Sequence, residues 1–301
     1  MDRITARRVA TLGGLFLITA VLEACSGTRH ATAYHYDWSI FFNALFAPDP
    51  RIVQGLLLTV SIAVTAQIIG VVLGVLGALG RMSRRSLVRG VANFYIWVFR
   101  GTPLLVQIMI LYYGLLNTGL LRWDDIVLGG FVIAGNVQAG IFALGVNEGA
   151  YMTEIVRAGI IAIDPGQLEA AKSLGMTYGQ AMRRIVLPQA ARVIVPPLGN
   201  EFNNMLKTTS LLTIISVQEL FVTFQILNGN GPDSFHPFEL FFACAIWFLL
   251  LTTIWSIIQG RIERRLARGG PGTPASGGPG LRDRLFGFRR PQDLELLAGG
   301  H

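Results

Sequence analysis

Apolar residues in this chain come in long unbroken runs, not in the alternation of a half-buried strand or the single stripe of a soluble amphipathic helix. The runs cover about Val9 to Ala24, Gly55 to Leu79, Tyr95 to Leu116, Val127 to Met152, Val193 to Val217 and Phe238 to Ile258. A helix needs roughly 20 mainly apolar residues to cross a bilayer core, so each run is read as a candidate membrane span. The fourth admits a later start, and the fifth carries a polar middle at Asn200, Glu201, Asn203 and Asn204. The pattern changes between the fourth and fifth runs. There Pro165 and Gly166 are turn residues, Gln167 to Leu174 is a short good helix former, and Gly175 fits the left-handed position that ends helices. A second short helix is expected over Tyr178 to Val186, ending near Pro188, which has no N–H to continue it.

Charge then orients the spans, because arginine and lysine are retained in short cytoplasmic loops. Arg3, Arg7 and Arg8 precede the first run; Arg81, Arg84, Arg85 and Arg89 follow the second; Lys172, Arg183, Arg184 and Arg192 fill the connection after the fourth; Arg261, Arg264, Arg265 and Arg268 follow the last. The opposite connections hold Arg29, Arg51 and Arg122 beside Asp37, Asp49, Asp124, Asp125 and Asp233. Both termini are therefore predicted to be cytoplasmic. The first run, with its basic start, is expected to be a retained anchor helix in residues 1–30, the rival being a cleaved signal peptide. Residues 31–54 are then an extracytoplasmic segment, 55–260 the transmembrane domain, and 261–301 a flexible basic cytoplasmic tail whose GGPGTPASGGPG stretch cannot bury enough apolar surface to fold.

Composition agrees with a bilayer as solvent. In 301 residues, 52% are hydrophobic and 14% charged, too few charges to cover a soluble surface of that size. The net charge of +7 sits in loops and tail with no aromatic-interleaved basic groove, so nucleic acid is not an expected partner. Cys25 and Cys244 are too few and too far apart for a disulfide framework or a zinc site, and His30, His35, His236 and His301 are scattered. No HExxH or GxSxG pattern is present, and Lys172 and Lys207 lack the glycine-rich context of a phosphate-binding loop. The chain is not expected to be an enzyme or to bind a cofactor or metal itself.

The loop from Asp164 to Ala190 is the most informative segment. Glu169, Ala170, Ala171, Gly175, Ile185, Leu187 and Pro188 resemble the EAA loop of ATP-binding-cassette importer permeases. Phe99 to Gln107, Tyr151 to Ile160 and Lys207 to Leu211 are similar to segments of the polar amino acid (histidine, glutamine, glutamate, arginine) subfamily, and the resemblance covers about Arg51 to Arg261. It implies an all-α polytopic membrane protein: a type I importer transmembrane domain of five core helices with one extra N-terminal helix, in the bacterial inner membrane. It also implies that Glu169, Ala170, Ala171, Gly175 and Pro188 couple the chain to cassette ATPase subunits, which bind ATP and magnesium. The other implied partners are a second permease chain, identical or homologous, an extracytoplasmic solute-binding protein and membrane lipid.

Ionisable residues inside a bilayer normally pair, face water or line a pathway. Arg100, Glu154, Glu201 and Lys207 are such residues. An amino acid zwitterion needs a cation for its carboxylate and an acceptor for its ammonium, and Arg100 with Glu154 would supply both. Asn147, Thr102 and Thr208 are expected neutral partners in the substrate pathway. A structural Arg100–Glu154 pair remains the simpler alternative. An ion-coupled secondary transporter is the competing function; it would need its own coupling-ion site and usually internal pseudo-symmetry, and no repeat is visible.

Overall fold

A computed structural model describes residues 34–114, 118, 122–129, 131–230 and 234–267. The expected first span, the residues beyond 267 and their histidines and cysteine lie outside the described residues. Contacts divide the chain at Asp37. Of the first unit, residues 34–37 are described, with the Tyr34 and Tyr36 rings edge to face at 4.9 Å. The second unit begins with α1 (Trp38–Phe46) and α2 (Pro50–Arg81). Asp49 caps α2 by accepting from the backbone N–H of Arg51, whose hydrogen-bonded guanidinium also holds the Asp49 carboxyl below the usual carboxylate range. With Pro50 in the first turn, where its missing N–H costs nothing, the 32 residues of α2 run about 48 Å.

The third apolar run is not one helix. It is α3 (Ser86–Gly101) and α4 (Leu104–Met109, continued by a π-turn at Ile110–Gly114), bent by 107°. Pro103 disfavours helical backbone at the residue before it, and Thr102 is extended at φ −120° and ψ 148°. The break exposes carbonyls at the end of α3 that lipid could not satisfy. Gln107 meets them, its amide donating to Phe99 O (2.9 Å) and Thr102 O (3.1 Å).

The fourth run also differs from expectation. Ile126–Leu128 (β1) and Phe131–Ile133 (β2) pair as a small antiparallel hairpin with Ile126 opposite Ile133, and the helix α5 (Gly135–Ile161) starts only after it. Asp125 sits at this junction and accepts the Gly135 N–H at 2.8 Å. α5 is the central helix. Small residues let it approach α2 closely: a Cβ at Gly74 would overlap Met152 Cβ, and one at Gly70 would stand 2.5 Å from Glu148 Cγ. Such close approach is how helices associate where no hydrophobic effect drives them together.

After α6 (Pro165–Ser173) and α7 (Tyr178–Ala181), the chain does not stop at Pro188. A π-turn over Met182–Val186, with Leu187 N bonded to Met182 O, leads directly into α8 (Leu187–Thr208). The wider π ladder lets a helix pass a residue that cannot donate. The fifth span then tightens into a 3₁₀ segment, Thr209–Ile215, and turns at Ser216 with φ 56° before α9 (Leu220–Asn230), a bend of 48°. This second break is also met by side chains. Asn136 of α5 donates to Ile215 O and Ser216 O, while buried Glu219 accepts from Val222 N at 2.9 Å. The last span is α10 (Pro237–Ala267), 31 residues.

The core falls into two clusters. Ile62, Ala66, Ile108, Leu144, Leu206 and Leu212 join α2, α4, α5, α8 and the 3₁₀ segment. The second cluster unites α1 with the spans: Ile40 and Phe41 pack with Leu220, Phe224, Leu240 and Cys244, and Trp247 donates to Ala44 O at 3.1 Å. The expected extracytoplasmic segment thus contains a helix fastened to α9 and α10.

Candidate functional site

Two regions hold the chemistry: the α6–α7 loop and the polar residues within the spans. Asp164 starts α6 as an N-cap, accepting from Gly166 N (2.8 Å), and Pro165 follows at a position where no N–H is needed. At the other end the Gly175 N–H reaches Lys172 O (2.9 Å) and the Met176 N–H reaches Ala171 O (3.1 Å). Those bonds define a Schellman motif with Gly175 as its left-handed residue at φ 78°. Thr177 then opens α7 with a reciprocal capping box to Gln180. The turn is thereby fixed by its own backbone and capping bonds, without help from the rest of the protein.

The faces of this element separate its alanines. Ala171 is buried, as are Ala181 and Val186, while Glu169, Ala170 and Leu174 stand in solvent, Leu174 at 79% exposure. Tyr178 is exposed as well. Gln189 Nε2 donates to Gln167 Oε1 (3.3 Å), tying α6 to the start of α8, where Pro188 lies exposed. The result is a self-capped protrusion with an apolar tip and two carboxylates, Asp164 and Glu169, joined without a loop to a membrane helix.

Among the span residues, Arg100 and Glu154 do meet, at 3.7 Å, but not alone. Glu154 also pairs with Arg81 at the end of α2 and with Arg157 one turn along α5 (3.1 Å). Arg100 lies over the Tyr151 ring, 5.2 Å from its centroid. One carboxylate therefore holds the ends of α2, α3 and α5 together, each group being part-exposed. Asn147 and Thr102 come together at the break in the third span: Asn147 Nδ2 donates to Phe99 O (3.1 Å) and Gln107 Oε1 (2.9 Å), and Gln107 Nε2 donates to Thr102 Oγ1 (2.7 Å). Thr208 stands elsewhere, at the end of α8, bonded to Asn204 O and Met205 O. Just before the 3₁₀ bonds tighten, Lys207 borders an apolar cleft of about 440 Å³ with Ser210, Phe221, Cys244 and Phe248.

Polar residues of the spans that the sequence reading does not single out include, besides Asn136 and Glu219, Gln107, Gln67 and Glu148. Gln107 knits the break, and Gln67 with Glu148 forms a buried pair between α2 and α5 at 3.3 Å. A carboxylate in the middle of an apolar run was the available signal for Glu148.

A helix bundle with broken candidate spans and an exposed, self-capped helix–turn–helix ahead of α8 is the architecture of a polytopic membrane component with an element held outside the bilayer. Comparison gives the family. Residues 70–268 match the model of the binding-protein-dependent transport system inner membrane component, and the chain belongs to that family of ABC importer permeases. The arginine transport system permease protein ArgU of Corynebacterium glutamicum is 39% identical over 245 residues, covering 78% of this chain and 73% of that protein. The glutamine transport system permease protein GlnP of Escherichia coli is 33% identical over 232 residues, covering 77% of this chain and 98% of that one. A crystal structure of an amino acid ABC transporter with histidines superimposes with a TM-score of 0.65 at 36% identity, covering 77% of this chain and all of that one. The family implies a separate ATPase and a binding protein as partners, and it favours an ABC permease over an ion-coupled transporter.

Proposed function

We propose that this chain imports a polar amino acid across the bacterial inner membrane, paired with a second permease chain and driven by two cassette ATPases docked on α6 and α7. An extracytoplasmic binding protein delivers the substrate; ATP and magnesium belong to the ATPases, and both termini face the cytoplasm. The observation that carries the reading is the self-capped α6–Gly175–α7 protrusion, exposed at Glu169, Ala170 and Leu174 and continuous through a π-turn with α8. Movement of a rigid knob joined to a span without a flexible linker is movement of the span.

In this reading the substrate passes the break in the third span. Thr102 and Asn147 present polar atoms there, and Thr208 lies at the end of α8. Arg100 makes the longest of the three arginine contacts to Glu154 and is the most exposed of the three. It is the guanidinium free to turn to a substrate carboxylate while Arg81 and Arg157 keep Glu154 neutralised. The test is copurification of the full chain with the cassette ATPase encoded beside it. Wild type is expected to retain the ATPase and Glu169→Ala to lose most of it; retention by neither would end the coupling interpretation.

A further inference from the structure

Glu148 is the middle residue of α5 and 6% exposed, and it meets no cation among the described residues. A carboxylate at that depth ordinarily pairs or lines a pathway. The donors around it are committed elsewhere. Tyr95, whose hydroxyl lies against Gly149, donates to Val146 O (2.5 Å), Asn147 donates to Phe99 O and Gln107 Oε1, and Thr153 donates to Gly149 O (2.8 Å). What remains is Gln67 Nε2 at 3.3 Å from Glu148 Oε1.

Gln67 itself is 6% exposed, and its Oε1, buried beside Glu148, has no hydrogen-bond partner. A buried acceptor without a donor is costly to leave unmet, so it signals a group that the site is built to receive. The site offers the Glu148 carboxyl and Gln67 Oε1 as acceptors against the single donor Gln67 Nε2. Its complement is a compact group rich in N–H and positively charged.

We propose that Glu148 and Gln67 seat the cationic side chain of the transported amino acid, so that this permease prefers basic amino acids of the arginine and lysine type to neutral or acidic ones. This rests on the reading of the chain as an amino acid permease. Glu148 supplies the charge and Gln67 Oε1 the second acceptor. Glycine at position 70 of α2 leaves the room that the Glu148 side chain occupies.

The test is equilibrium binding of radiolabelled arginine, lysine, glutamine and glutamate to the purified complex of this chain with its cassette ATPase. Arginine or lysine is expected to bind about ten-fold or more tighter than glutamine, as loss of a charged hydrogen bond implies. Glu148→Gln should abolish that preference, while Glu148→Asp, which keeps the charge, should retain most of it and so controls for misfolding. A wild-type preference for glutamine or glutamate, binding of none of the four, or an unchanged preference in Glu148→Gln would overturn the assignment. Failure of the importer reading is seen separately, as failure of the chain to copurify with the ATPase.

Discussion

Gly175 holds the turn between α6 and α7 by its backbone alone. At φ 78°, with nothing within 4 Å of the place a Cβ would take, the position is open in space and restricted only in conformation. A side chain there would strain the left-handed turn by roughly 1–2 kcal/mol, enough to shift a conformational equilibrium about 5- to 30-fold. Gly175→Val is expected to weaken ATPase binding by that factor and Gly175→Asn by much less, since asparagine tolerates this backbone; titration of labelled ATPase onto the permease in nanodiscs measures both. Glu154 is the contrasting case, in which the side chain itself is the joint. Its carboxylate is shared by Arg81, Arg100 and Arg157, so Glu154→Gln leaves three guanidiniums facing one another. The pairs are part-exposed, which discounts the cost to about 1–3 kcal/mol. Thermal unfolding in detergent should show Glu154→Gln falling further than Arg157→Gln, where two of the three pairs survive.

At the scale of elements, the contact between α2 and α5 and the breaks in the spans obey different rules. The α2–α5 contact depends on absent side chains: a Cβ at Gly74 would overlap Met152 Cβ and stand 2.9 Å from the Met152 carbonyl carbon. Gly90 on α3 has nothing within 4 Å. Gly74→Ala is therefore expected to lower the midpoint of thermal aggregation, overpacking costing about 1–3 kcal/mol, whereas Gly90→Ala should leave it unchanged or raise it by removing backbone freedom. The breaks depend on polar side chains that the sequence disperses. Gln107 and Asn147 serve the first, Asn136 and Glu219 the second, and neither pairing is visible until the helices are packed. The sequence showed where apolar runs lay. It did not show that the run from Tyr95 to Leu116 bends by 107°, because hydropathy reports solvent preference and is blind to direction. The same blindness placed the fourth span over Val127, where a short hairpin rich in apolar residues has the hydropathy of a helix.

The molecule as a whole presents the Gly129 hairpin at one end of α5 and the Gly175 turn beyond the other. If arginine distribution has set the orientation, these lie on opposite sides of the membrane. Gly129→Cys is expected to react with a membrane-impermeant maleimide in intact cells, and Gly179→Cys, exposed next to the turn, only after permeabilisation. The reverse pattern would invert the topology and remove the coupling loop from the ATPase. By itself the sequence determined the solvent, the number of apolar runs between Gly55 and Ile258, and the short helix α6 with its glycine stop, since all of these depend on local composition and short-range backbone chemistry. Ala171 as an inward packing residue, Pro188 inside a continuous helix, Glu154 as the meeting point of three arginines, and the buried pair of Gln67 and Glu148 were decided only by the tertiary structure. Each depends on which groups are brought within hydrogen-bond or van der Waals reach across tens of residues, and close packing, not local preference, makes that choice.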